Sequence, residues 1–146
     1  MSQTRIHKQQ RGFTLIEIMV VVIIIGILAA IVAPNVIGRV DDARVTTARS
    51  DISTIASAMK LYRLDNFSYP RTEDGIEALI SRPSDQTARN WKSGGYLERM
   101  PKDPWGTPYQ YLNPGNHGTL DIYSFGADGK PGGDGFDADI GNWDSE

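Results

Sequence analysis

Polar and apolar positions alternate with a different rhythm in each third of the chain. From Ile18 to Ala33, sixteen consecutive residues carry no polar side chain, and the only acid near the start of this stretch is Glu17. Further on, Val45, Ala48, Ile52, Ile55, Met59 and Tyr62 recur at spacings of 3, 4, 3, 4 and 3, while Arg44, Arg49, Ser50, Asp51, Ser53, Ser57, Lys60 and Arg63 fill the positions between them. The first pattern suits a helix in lipid or in another dry environment, and the second an amphipathic helix with one side packed. Together they predict one spine from Phe13 to about Leu64, roughly 78 Å long at 1.5 Å per residue. Residues 13–37 form its hydrophobic part and 38–65 its amphipathic part, with a kink expected at Pro34.

Beyond Asp65-Asn66 the elements shorten. Phe67-Ser68-Tyr69-Pro70 reads as a non-helical connection, and Thr72 as the cap of a brief helix, Glu73 to Ser81, that Pro83 stops. Asp103-Pro104-Trp105-Gly106 reads as a turn that lays an aromatic against the spine. Pro108 to Leu112 and Leu120 to Ser124 flank Asn113-Pro114-Gly115-Asn116-His117-Gly118, a hairpin signal within residues 66–120 and the start of 121–146. His117 is read as a surface turn residue, and Asp121 as a strand residue facing outward. The fold class is therefore α+β: a long N-terminal helix packed on a small antiparallel sheet.

Composition sharpens this division. The chain has 146 residues, with 15 Lys+Arg, 18 Asp+Glu, two His and no Cys. Residues 1–12 hold Arg5, Lys8 and Arg11 without an acid, about +3, so the remainder carries −6. A basic flank ahead of a membrane-length apolar run places the N-terminus in the cytoplasm and the rest across the membrane. An ordinary secretory signal or a plain anchor would show the same run, but Glu17 is unusual in either, since a carboxylate in hydrocarbon costs roughly 2.5 to 3.5 kcal/mol. The absence of Cys excludes a disulfide framework, a thiolate metal site and a cysteine nucleophile. The acidic balance argues against nucleic-acid binding, and no Gly-x-x-x-x-Gly-Lys-[Ser/Thr] string offers a nucleotide site. With His7 in the leader and His117 alone elsewhere, no catalytic constellation or histidine metal pair is present in the sequence, and no enzyme is expected.

The C-terminal segment concentrates Asp121, Asp128, Asp134, Asp137, Asp139, Asp144 and Glu146 against the single cation Lys130, with glycines between them. Two readings fit: a solvated acidic tail, or a site for a hard cation taking six to eight oxygen ligands, of which calcium is the candidate. The spacing is not that of an EF-hand.

The string Arg11-Gly12-Phe13-Thr14-Leu15-Ile16-Glu17 followed by the apolar run resembles the class III signal of type IV pilins and type II secretion pseudopilins. Tyr69-Pro70-Arg71-Thr72, Gly94-Gly95-Tyr96, Pro101 to Tyr109, Ser124 to Gly129 and Asp137 to Trp143 resemble the globular domain of the major pseudopilins. The resemblance implies a type IV pilin-like fold with a C-terminal calcium loop. It implies removal of residues 1–12 by a prepilin peptidase that cuts between Gly12 and Phe13 and methylates Phe13. It also gives Glu17 an assembly role, meeting the freed Phe13 amine of a neighbour, with a pair within one subunit as the alternative.

For calcium, the resemblance implies side-chain ligands Asp128, Asp137 and Asp139, with main-chain oxygens near Phe125 and Lys130. The implied function is that of a non-enzymatic subunit of a periplasmic helical filament that drives folded proteins across the outer membrane. Its implied partners are further copies of itself, minor pseudopilins, the prepilin peptidase, an inner-membrane assembly platform, an outer-membrane secretin, and membrane lipid before assembly. A type IV pilus subunit, a membrane-anchored calcium-dependent binding module and a small anchored hydrolase are the alternatives.

Overall fold

The computed structural model describes residues 12–84 and 88–145, the side chains of residues 33–37 and of Ser145 excepted. The leader through Arg11 and the side chain of Pro34, with its expected kink, lie outside the described residues. One helix, α1, spans Leu15–Asn66, and the chain divides into two units, Met1–Arg39 and Val40–Glu146.

In the first unit, Leu15–Val32 is exposed along its length and is long and apolar enough to cross a membrane. The helix starts with a local cap. The Thr14 carbonyl accepts the Glu17 and Ile18 N–H groups at 3.1 and 3.3 Å, and the Glu17 carboxylate reaches back to the Thr14 N–H at 3.4 Å. This is half of the Thr-x-x-Glu capping box, which satisfies an N–H that the first helical turn leaves without an internal partner.

In the second unit, the predicted stripe of α1 is the wall of the core. Ala48, Ile52, Ile55, Met59 and Tyr62 are buried, and Val45 packs partly against them. The opposite wall comes from Ile76, Ala78 and Leu79, from Tyr109 and Tyr111, and from Leu120, Ile122 and Ile140. Trp105 packs on this core from its turn, closed by the Gly106 N–H on the Asp103 carbonyl at 2.9 Å, as its sequence suggested.

The sheet has three antiparallel strands in the order β1 (Gln110–Leu112), β2 (Asp121–Ser124) and β3 (Ile140–Gly141). Tyr111 faces Ile122 across the first pair, and Ser124 faces Ile140 across the second. The hairpin is where the sequence placed it.

Two local expectations fail. No helix runs from Glu73 to Ser81; the segment is a 3-10 turn, Ile76–Leu79, because Gly75 at φ 59 interrupts the helical backbone just before it. Thr72 accordingly caps no helix. Its hydroxyl donates to the Asn113 carbonyl at 2.9 Å and accepts the Asn113 N–H at 2.8 Å, tying this loop to the end of β1.

Candidate functional site

Two places carry the sequence-derived candidates, one in each unit. At the start of α1, Gly12, Phe13, Thr14 and Glu17 line a cleft of about 410 Å³, and Phe13 is 80% exposed. Gly12 and Phe13 precede the helix and are exposed. In the unprocessed chain the Glu17 carboxylate accepts the Thr14 N–H at 3.4 Å.

The second place is the C-terminal loop between β2 and β3. Its path depends on close backbone approach: at Gly126, with φ 71, a Cβ would lie 2.7 Å from the Ala138 carbonyl oxygen. No larger residue fits there without displacing main chain. The Ala127 N–H donates to the Phe136 carbonyl at 2.9 Å and clamps the loop at its base.

Of the expected ligands, Asp128 accepts the Lys130 N–H at 3.0 Å, and Asp139 accepts the Gly132 N–H through Oδ2 at 3.0 Å. Asp137 is exposed at the end of a 3-10 turn, Gly135–Asp137. Phe125 and Asp139 line one small cavity of about 200 Å³, which Asp128 and Asp137 do not reach. Among the described residues, no three His, Cys, Asp or Glu side chains converge into a metal-binding group.

One atom does point to a missing partner. Asp139 Oδ1 is buried and makes no hydrogen bond, a costly state for a carboxylate oxygen. A hard cation, which takes carboxylate and carbonyl oxygens alike, suits that atom and this carboxylate-rich donor set.

Next to this loop stands a cluster that the sequence reading misplaced. Asp121, expected to face outward, is 1% exposed. Its carboxylate accepts the Asn116 N–H at 2.7 Å and the His117 N–H at 3.1 Å, and it pairs with His117 Nδ1 at 3.0 Å. Burial alone would raise the Asp121 carboxyl, but the His117 side chain, the two backbone donors and the nearby His117 charge outweigh it and hold it below its ordinary value.

His117 in turn stacks on Trp143, with ring centroids 3.9 Å apart. Two glycines make room for this cluster: a Cβ on Gly115 would lie 2.5 Å from Asp121 Oδ1, and one on Gly141 would lie 2.4 Å from the Trp143 ring. The turn Asn113-Pro114-Gly115-Asn116-His117-Gly118 ahead of Asp121 is visible in the sequence. The inward turn of its acid depends on backbone N–H groups, which sequence patterns do not show. These groups hold the hairpin loop and the C-terminal residues Asn142 and Trp143 together.

Two family models match successive stretches of the chain. A family model described as type II secretion system (T2SS), protein G matches residues 35–143, and one described as the prokaryotic N-terminal methylation motif matches residues 7–33. The chain is 59% identical over 140 residues to a type II secretion system core protein G of Pseudomonas aeruginosa, covering 95% of this chain and 99% of that protein. It is 52% identical over 136 residues to the core protein G of Vibrio cholerae, covering 93% of each. The crystal structure of the major pseudopilin from the type 2 secretion system of enterohaemorrhagic Escherichia coli is similar at a TM-score of 0.67 and 46% identity, over 76% of this chain and 96% of that one.

Proposed function

The chain belongs to the type II secretion system protein G family and is a major pseudopilin, a structural subunit of that machinery; from this premise we propose how its two places serve the filament. The observation that carries the proposal is the methylation-motif match over residues 7–33, coincident with the exposed apolar run Leu15–Val32 and with the capped helix start at Thr14 and Glu17.

The chain is held in the inner membrane by Leu15–Val32, with residues 1–12 cytoplasmic and the second unit periplasmic. A prepilin peptidase removes residues 1–12, cutting between Gly12 and Phe13, and methylates the new amine of Phe13. The subunit then leaves the lipid for a helical pseudopilus of many copies, joined by minor pseudopilins and built on an inner-membrane assembly platform. Its growth pushes folded proteins through an outer-membrane secretin. No catalytic step falls to this chain.

Glu17 has two successive partners in this scheme. In the unprocessed chain it holds the Thr14 N–H, and after cleavage it is free to pair with the Phe13 amine of a neighbour. An uncompensated charge in the dry filament core would cost several kcal/mol, which fixes axial register. Intact-mass measurement of membrane-purified protein should show residues 1–12 lost and one methyl group gained. Glu17→Gln should be processed normally yet give few filaments. Retention of the leader would refute the processing scheme, and normal filament yield from Glu17→Gln would refute the register role.

At the C-terminal loop, Asp128, Asp137 and Asp139, with main-chain oxygens near Phe125 and Lys130, hold a calcium ion. The support is the unpartnered Asp139 Oδ1 together with six acids after Ala127 against one lysine. Bound calcium supplies a cross-link that a cysteine-free chain cannot make by disulfide. Stabilisation should follow RT ln(1 + [Ca²⁺]/Kd), about 2.7 kcal/mol at a hundred times Kd. Chelation should therefore lower the melting temperature, and Asp139→Ala should abolish the difference between calcium and chelator. A melting temperature indifferent to calcium would remove the metal from the loop.

A further inference from the structure

The end of α1 carries a second apolar face that the fold does not use. Leu61, Leu64 and Phe67 are 53%, 71% and 84% exposed. At about 100° per residue, Leu64 lies roughly opposite the buried Ile55, Met59 and Tyr62, and Leu61 lies on the flank beside it. Lys60, Arg63, Leu64, Phe67 and Tyr69 line a shallow cleft of about 580 Å³, with the Arg63 guanidinium laid over the Tyr69 ring at 5.1 Å.

Phe67 costs the isolated subunit twice. It closes the helix by donating its N–H to the Arg63 carbonyl at 2.8 Å, and does so at φ 64, where glycine is the usual occupant. A bulky side chain pays a conformational penalty there, and its ring then stands in water. A residue unfavourable on both counts in the free subunit is explained by a contact made outside it.

The charges say what covers this face. Around the cleft stand the exposed cations Lys60 and Arg63. Residues 127–146 hold six acids against one lysine, a side-chain charge of −5 that one bound divalent cation would lower only to −3. Among those acids, Phe136 is a large apolar side chain 39% exposed. One surface is thus apolar with a cationic rim and the other apolar with an anionic rim, and the two share no residue.

We propose that a second copy of this chain covers Leu61, Leu64 and Phe67 with its own C-terminal loop, Phe136 meeting the apolar face and the loop carboxylates meeting Lys60 and Arg63. Because the two surfaces differ, the contact is head-to-tail and repeats without closing, as an open helical filament requires. The proposal rests on the reading of the chain as a filament subunit.

The absence of Cys makes a direct test clean. Full-length Leu64→Cys and Phe136→Cys chains, produced together in cells that form filaments and then oxidised, should give a disulfide-linked dimer. Either variant produced alone should not. Phe67→Gly should raise the melting temperature of the full chain in detergent by roughly 2 to 5 °C, while cutting filament yield severalfold.

Filaments that form without the mixed dimer would overturn this contact and leave the subunit reading standing, as would undiminished filaments from Phe67→Gly. A dimer from Leu64→Cys alone would show a symmetric contact, and cross-linking of Leu64→Cys to a different protein would show another occupant; either refutes the proposal. Failure of the unaltered chain to form filaments at all would refute the subunit reading, and this contact with it.

Discussion

Asp121 brings a carboxylate into the interior with its partners already in place. It receives two backbone N–H groups and a histidine ring, so removing the charge leaves those donors facing a weaker acceptor. Asp121→Asn should cost about 2 to 4 kcal/mol near neutral pH, the range for disrupting a buried charge-assisted network. The pH dependence has a definite sign. A carboxyl lowered on folding stabilises the fold above its ordinary value of 3.8, and that contribution is lost as pH falls through the lowered folded value. Urea unfolding of the two chains between pH 7 and pH 3 should therefore show the gap narrowing toward acid, and a gap independent of pH would contradict the assignment. The sequence could not reveal this residue's role. Strand alternation assigned it a face, but hydrogen bonds to a loop five residues upstream decide where its carboxylate turns. Glu17 differs: the Thr-x-x-Glu spacing of Thr14-Leu15-Ile16-Glu17 is local, so the half capping box that it forms is readable from sequence.

At the scale of elements, α1 in the second unit has two unlike faces, and single substitutions should separate them. Ile55, 1% exposed, lies in the middle of the buried stripe, so Ile55→Ala should lose about 2 to 5 kcal/mol through lost burial and the cavity left behind. Leu64→Ala, on the 71% exposed face, should change subunit stability by no more than about 0.5 kcal/mol. Equilibrium unfolding in urea measures both, and comparable losses would mean that the outer face is packed in the isolated subunit. The stripe was legible because helical periodicity is local. The predicted helix at 73–81 was not reliable, since the left-handed backbone at Gly75 outweighs the propensities around it. β3 escaped notice for another reason: two residues, Ile140 and Gly141, carry no periodicity, and only pairing with Tyr123 and Ser124 makes them a strand. Asn66 is a similar case. Its side chain joins the end of α1 to the Tyr96 hydroxyl at 3.1 Å and to the Asn90 N–H at 3.2 Å, contacts set by the tertiary path.

For the molecule as a whole, the segregation of charge sets the expectation of which side of the membrane each part occupies before assembly. The basic leader, about +3, precedes the exposed apolar stretch Leu15–Val32, and residues 33–146, at −5, follow it. Basic residues next to a membrane span are retained on the cytoplasmic side, whereas an acidic domain is translocated with little penalty. With no native Cys, single cysteines report on position without background. Ser93, exposed in the second unit, serves for the far side, and Thr4 for the leader. In spheroplasts, Ser93→Cys should react with a membrane-impermeant maleimide, whereas Thr4→Cys, in cells lacking the peptidase, should react only after the membrane is opened. The reverse pattern would place the acidic unit in the cytoplasm, where no periplasmic filament could recruit it. Equal labelling of both positions in intact spheroplasts would mean that Leu15–Val32 does not span. The same measurement bears on the loop, because a domain exported to the periplasm meets calcium at the concentration outside the cytoplasm, where a site of modest affinity can fill. A cytoplasmic domain would need much tighter binding to gain the same stability, so the topology and the proposed metal staple stand as linked expectations.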